Sequence, residues 1–216
     1  MDIIPIKTSY LFEVNSYLIK TDAGYFLIDT GMKKTRPRIE EELVKEGCNP
    51  GDLKLIILTH GHLDHIGNAA YLRDKYGSKI AMHGDDVRMA ESGDMFIDSK
   101  GLMVSVVGGL MKLLGLSGYE RFTPDVYLDD QQDLSEYGLP AKVLYTPGHS
   151  NGSISLLTEE GALFCGDIYG NAKKPEVTTL IQDQNDLDAS VNRINGLDVH
   201  RVYPGHGSKF RPEDLE

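Results

Sequence analysis

His60, His62, Asp64 and His65 fall within the six residues HGHLDH, inside the stretch LTHGHLDHIG that spans 58–67. Imidazole nitrogen and carboxylate oxygen are the donors that zinc and its first-row neighbours take. Their spacing constrains the backbone. On a helix, positions 60, 62 and 65 point in widely different directions. In an extended segment 60, 62 and 64 share a side, and 65 points away. The segment is therefore expected to run extended and then turn near Asp64. The turn lets Asp64 and His65 serve a position distinct from the one that His60 and His62 serve.

More donors lie far away in sequence. Asp29 closes YFLID, His149 follows AKVLYTPG, Asp167 follows ALFCG and His206 follows HRVYPG. Each falls just past the end of a predicted strand, often beside glycine. Loops at one edge of a layered sheet structure are where sites are normally built. The donors outnumber the four that one tetrahedral ion uses. Two divalent ions are expected, about 3.5–4 Å apart if they form a hydrolytic pair. Asp29 reads equally as a turn cap or as a support for a ligand. His83 and His200 lack such a setting and read as ordinary structural or surface histidines.

The elements that position these residues follow from periodicity. NSYLIKTDAGYFLIDTG is two apolar runs around Thr21-Asp22-Ala23-Gly24, hence a hairpin. TRPRIEEELVKEG puts Ile39, Leu43 and Val44 on one helical face, with Gly47 as C-cap. LKLIILT is an apolar run of strand length, as expected for a strand buried on both faces. NAAYLRDKYG reads as a helix ending at Gly77, and KIAMH as a short strand. After residue 126 come the strands VYLDD and AKVLYT and a hairpin, SISLLTEEGALFCGD. The helix DLDASVNRING has Leu187, Val191 and Ile194 inward, and VHRVYPGHG supplies the last strand. Strands and helices alternate in both halves, which makes the chain a layered α/β domain.

The sequence has 216 residues and is 40% hydrophobic, enough for one domain with a sizeable core over 1–216. Its formal net charge of −11 lacks the basic field that draws proteins to phosphate backbones, so nucleic acid is not expected as a partner. Cys48 and Cys165 imply no disulfide framework. The N-terminus does not read as a signal peptide, and no stretch reaches the roughly 18 apolar residues of a membrane span. A cytoplasmic location is the resulting expectation.

HGHLDH resembles the His-x-His-x-Asp-His signature of the metallo-β-lactamase superfamily. LIDTG, THGHLDHIG, TPGHSNGSI, FCGDIYG and YPGHG follow in the family's order across almost the whole chain. The resemblance implies a four-layer αββα sandwich. It implies that His60, His62 and His149 hold a first metal, that Asp64, His65 and His206 hold a second, and that Asp167 bridges them. Asp29 would then orient a ligand histidine. The implied cofactors are two divalent ions, zinc first, with iron or manganese as alternatives. The implied chemistry is hydrolysis: water activated at the ions attacks an electrophilic carbonyl or phosphoryl centre. Asp64 would orient it or handle a proton. No Gly-x-Ser-x-Gly elbow suggests a side-chain nucleophile.

Asp at 167, rather than Cys or Ser, is similar to the glyoxalase II and lactonase branches. The expected substrate is thus a small thioester, lactone or related ester. Glyoxalase II enzymes carry a C-terminal helical region that helps bind glutathione. The sequence runs only ten residues past His206, which counts against a standard glutathione thioester. Tyr169 is a candidate donor to a substrate oxygen, by analogy with the lactonases. Cys165 is expected to face the other side of its strand, and Lys173 and Lys174 to be solvated. The apolar stretch 101–116, within an insert at about 94–122, reads as a cap over the site or a homodimer contact. A membrane contact is less favoured, since Lys112 is its one basic residue. The rival activities are an iron-dependent oxygenase resembling persulfide dioxygenases, a lactamase, and a phosphodiesterase.

Overall fold

The computed structural model describes residues 1–97, 109 and 118–215. Twelve strands and five helices are defined among them. In chain order they are β1 Asp2–Ser9, β2 Glu13–Thr21, β3 Gly24–Ile28, α1 Arg36–Lys45, β4 Leu53–Ile57, α2 Leu63–Ile66, α3 Ala69–Tyr76, β5 Lys79–Met82, α4 Val87–Ser92, β6 Val126–Tyr127, β7 Ala141–Tyr145, β8 Ile154–Thr158, β9 Ala162–Gly166, β10 Tyr169–Gly170, β11 Glu176–Val177, α5 Gln184–Asn195 and β12 Arg201–Pro204. One sheet has the order β1-β2-β3-β4-β5-β6, and a second has the order β12-β9-β8-β7.

Three separate apolar clusters establish the layering. Alternate residues of a strand face opposite sides. Leu18, Leu27 and Ile56 therefore meet Ile39 and Leu43 of α1 and Leu72 and Tyr76 of α3. Their neighbours Ile19, Phe26 and Ile57 face the other way, onto Val143, Ile154, Leu156 and Phe164 of the second sheet. Leu144, Leu163 and Cys165 on the far face of that sheet pack against Leu187 and Ile194 of α5. Helix on sheet, sheet on sheet and sheet on helix make four layers, αββα.

Strand direction then determines where the loops gather. β3, β4 and β5 run parallel, and so do β9 and β12. β7 is antiparallel to β8, which is antiparallel to β9, so β7 and β9 share a direction. The strand ends that precede Asp29, His60, His149, Asp167 and His206 consequently emerge at common edges of the sandwich.

Two details differ from the sequence reading. Val44 is 69% exposed, because α1 turns Ile39, Glu42 and Leu43 inward and the next residue lies about 100° further round. In α5 the buried stripe is Leu187, Ser190 and Ile194, with Val191 at its margin. Most of the insert expected at about 94–122, including all of 101–116 but residue 109, lies outside the described residues. Among the described residues no helix is long and apolar enough to cross a membrane.

Candidate metal centre

After β4 the chain bends through Thr59, His60 and Gly61, and His62 is extended, with φ −74° and ψ 147°. Helix α2 begins at the next residue, so Asp64 and His65 leave on its first turn. The turn expected near Asp64 is present, while the extended run expected before it is bent at residues 59–61. Gly61 and Gly205 supply closeness. A Cβ on Gly205 would sit 2.1 Å from Asp167 Oδ1 and 2.7 Å from His65 Cε1.

The donors converge in overlapping sets. His60, His62 and His149 form one, Asp64, His65 and His206 another, and His60, His65 and Asp167 a third. His62 Nδ1 lies 3.1 Å from His60 Nε2 and 3.0 Å from His149 Nε2. Asp167 faces both histidine groups. Its Oδ2 is 3.6 Å from His149 Nε2 and 3.1 Å from His206 Nε2, while its Oδ1 is 3.4 Å from His65 Nε2. Asp64 Oδ2 is 3.5 Å from His65 Nε2 and 3.4 Å from His206 Nε2. Tetrahedral nitrogen ligands at 2.0–2.1 Å from zinc lie roughly 3.3 Å apart. The donor spacings match that edge length.

The outward ring nitrogens determine which inward nitrogen is free. His149 Nδ1 bonds the Leu180 carbonyl and His206 Nδ1 the Glu13 carbonyl, both at 2.7 Å. His65 Nδ1 donates to Asp29 Oδ2 at 2.8 Å. His60 Nδ1 meets Thr59 Oγ1 at 3.1 Å, and that hydroxyl donates to Asp29 Oδ2 at 2.8 Å. In each case the outer partner accepts the Nδ1 proton and leaves Nε2 as the inward donor. Asp29 holds φ +57°, a left-handed conformation that Asp tolerates better than most residues. From there it also accepts the Thr59 N–H at 2.8 Å.

Two electrostatic halves result. Burial, reinforced by the neighbouring imidazoles, lowers His60 well below the usual histidine range and His62 to about 3. Both are neutral and ready to donate at physiological pH. Around Asp64 and Asp167 burial works against charge, but the adjacent His65 and His206 outweigh it and hold both carboxyls far below their ordinary value. Reciprocally, burial works against the protonated forms of His65 and His206. The carboxylates prevail, raising His65 well above 6.5 and His206 to about 10.

Several supporting residues carry no sequence signal of their own. Asn15 Nδ2 donates to the carbonyls of Pro204 at 2.9 Å and Gly207 at 2.7 Å, and Tyr17 Oη donates to Pro204 at 2.6 Å. Together they clamp the His206 loop to β2. Asp86 joins the His60–His62 loop to the one after His149. It is one of two adjacent aspartates, and nothing local distinguishes it from Asp85.

Tyr169 is not brought to these groups. It is buried in the outer apolar cluster, edge-on to Phe210, and its hydroxyl has no hydrogen-bond partner. Cys165 is buried in the same cluster, where burial pushes its thiol upward. His83 stacks on Tyr145, and His200 lies on the surface. Lys173 and Lys174 are exposed.

The donors open onto a cavity of about 1190 Å³. His62, Asp64, His149, Asp167 and His206 line it, and its apolar lining comes from Phe12, Met89, Met95, Phe96, Leu180 and Ile181. No Lys or Arg is among the described lining residues.

The family model described as the metallo-beta-lactamase superfamily matches residues 10–206. The chain is 30% identical over 202 residues to a probable metallo-hydrolase of Methanocaldococcus jannaschii, covering 92% of this chain and 89% of that one. It is 30% identical over 188 residues to a hydroxyacylglutathione hydrolase of Francisella philomiragia, covering 86% of this chain and 60% of that one. It spans 55%, 58% and 60% of the length of three of its curated relatives. Among solved structures, TTHA1623 in a di-iron-bound form aligns with a TM-score of 0.75 at 26% identity, covering 96% of this chain and 94% of that one.

Proposed function

The chain belongs to the metallo-beta-lactamase superfamily, and on that premise we propose that it is a hydrolase of thioesters, lactones or related esters with a two-ion centre. The observation that carries the reading is a pair of buried orphans. His65 Nε2 and Asp167 Oδ1 face each other at 3.4 Å, and neither has a hydrogen-bond partner. Buried polar atoms are rarely left so, and a cation between them satisfies both. His60, His62 and His149 would hold one ion and Asp64, His65 and His206 the other, with Asp167 serving both.

Divalent ions held there supply Lewis acidity toward the scissile carbonyl and lower the pKa of water from 15.7 to about 7. The chain supplies the rest. Asp29 keeps His65 in one tautomer and orientation. Asp64 lines the cavity, where its carboxylate would orient the attacking water. Phe12, Leu180 and Ile181 exclude water from the acyl portion and orient it by contact. The carboxylate at 167 and the apolar walls both support an ester-type substrate, and the Francisella relative is named hydroxyacylglutathione hydrolase. Zinc is the first choice of ion. Iron is the second reading, favoured by the di-iron form of TTHA1623.

Metal analysis of the purified protein, followed by a panel of thioesters, lactones, β-lactams and phosphodiesters, tests the proposal. Two ions per chain and ester turnover are expected. His62→Ala should abolish turnover with the circular dichroism spectrum intact. One iron per chain with oxygen uptake, or full activity in His62→Ala, would overturn it.

A further inference from the structure

We propose that Asp86 is the positioning residue of the three-histidine half of the centre. Its carboxylate is the strut that holds His62 and His149 at ligand distance from each other. This rests on the two-ion reading above and adds a residue to it.

Asp86 ends a 3-10 turn, Gly84–Asp86, and occupies the N-cap position of α4. An aspartate there ordinarily accepts from the first backbone N–H groups of its own helix. Asp86 makes no such bond. Both of its oxygens are turned the other way, and the residue is fully buried. Oδ2 accepts from Gly61 N–H at 2.7 Å and from the Ser150 hydroxyl at 2.7 Å. Oδ1 accepts from Gly152 N–H at 2.7 Å. Gly61 lies between His60 and His62, and Ser150 directly follows His149. One carboxylate thus ties together two loops from two different sheets, each at the residue beside a ligand.

The surroundings are shaped to this side chain. A Cβ on Gly152 would lie 2.6 Å from Asp86 N and 2.7 Å from its Cγ, so the loop after His149 approaches as only glycine can. Ser150 and Ser153 hydroxyls pair at 2.7 Å and brace the same loop. Tyr145 donates to Asp85 at 3.1 Å and to the Asn151 carbonyl at 2.8 Å, and it stacks on His83. The turn carrying Asp86 is therefore anchored on both flanks. Asp86 makes no direct bond to a residue beside His206, and the other half has orienting partners of its own. His65 is oriented by Asp29 and His206 by Glu13. The strut should consequently be selective, acting on one ion and not the other.

Asp86→Asn is the test, with Ser150→Ala as a milder companion that removes one of the three bonds. Whichever way the amide turns, its NH₂ opposes at least one loop N–H. Zinc is titrated into the metal-free protein against a chromophoric chelator. Imidazole nitrogen NMR reports which histidines bind. Loss of an outer-shell partner typically weakens metal affinity 10–100-fold. In Asp86→Asn the ion at His60, His62 and His149 should weaken by about that factor, and the ion at Asp64, His65 and His206 by less than about threefold. Ser150→Ala should show the same selectivity at smaller size, and it decides the matter if Asp86→Asn does not fold. Equal weakening of both ions, or no weakening of either, overturns the inference while the wild-type stoichiometry leaves the two-ion reading standing. A wild-type chain that takes up no zinc at the three histidines overturns both.

Discussion

Asp29→Asn is the sharpest single perturbation of the second half of the centre. Asn has nearly the same volume and tolerates the left-handed φ of +57° that position 29 holds, so backbone strain does not confound the change. Asp29 accepts three hydrogen bonds. Thr59 N–H reaches Oδ1, and the Thr59 hydroxyl and His65 Nδ1–H reach Oδ2, each at 2.8 Å. An amide offers one acceptor oxygen. If that oxygen replaces Oδ1, the NH₂ faces the Thr59 hydroxyl and His65. If it replaces Oδ2, the NH₂ faces Thr59 N–H. A buried donor left unpaired costs about 1–3 kcal/mol, which sets the expected loss of stability in the metal-free protein. A second loss applies to the ion. The bond to His65 changes from charge-assisted to neutral, roughly halving its strength, and Nε2 becomes a poorer donor. Affinity for the ion held by Asp64, His65 and His206 should fall about 10–100-fold, and the three-histidine ion should weaken less, because it meets Asp29 only through Thr59 and His60. Urea unfolding of the metal-free protein and zinc titration measure the two effects. Unchanged affinity at His65 and His206 would refute the claim that Asp29 tunes that donor. Paired with the converse selectivity of Asp86→Asn, the result separates the supports of the two halves.

Gly205→Ala should cost about 1–3 kcal/mol by overpacking and should displace Asp167, whose Oδ1 lies 2.1 Å from the added carbon. Normal thermal stability with normal metal stoichiometry would contradict the close packing described. In the metal-free protein the raised His206 and His65 contribute stability that is fully present below the unfolded value of about 6.5. That contribution is lost as pH rises toward about 10, the folded value of His206. The urea midpoint of the metal-free protein should thus be lower at pH 9.5 than at pH 6, and a rise would show the sign to be wrong. Leu180→Asp or Phe12→Asp should lower kcat/KM for octanoyl esters at least tenfold relative to acetyl esters. An unchanged ratio of the two substrates would remove these residues from the acyl wall.

The sequence alone carried the donors and their local geometry. The spacing of HGHLDH required a turn near Asp64, and α2 begins at Leu63, although the segment before it is bent rather than extended at residues 59–61. Apolar runs of strand length marked the strands, and Gly77 marked a helix end, because local sterics leave few other residues at positive φ. Periodicity also misled where a face was only half covered, as at Val44, since amphipathic spacing does not say how wide the partner surface is. What only the folded chain decided is distance across the sequence. Asn15 reaches the His206 loop 189 residues away, and Asp86 reaches Ser150 across 64. A lone Asn and one of two adjacent aspartates have no local pattern to mark them, because most of their partners are backbone groups that every residue carries. Tyr169 illustrates the converse. Its nearness in sequence to Asp167 suggested a place at the cavity, but the chain turns at Asp167 and Ile168 before β10, and packing against Phe210 took the ring into the core. Local residue chemistry specifies what a site can be made of, while the direction of parallel strands and the burial of backbone donors determine which of those pieces meet.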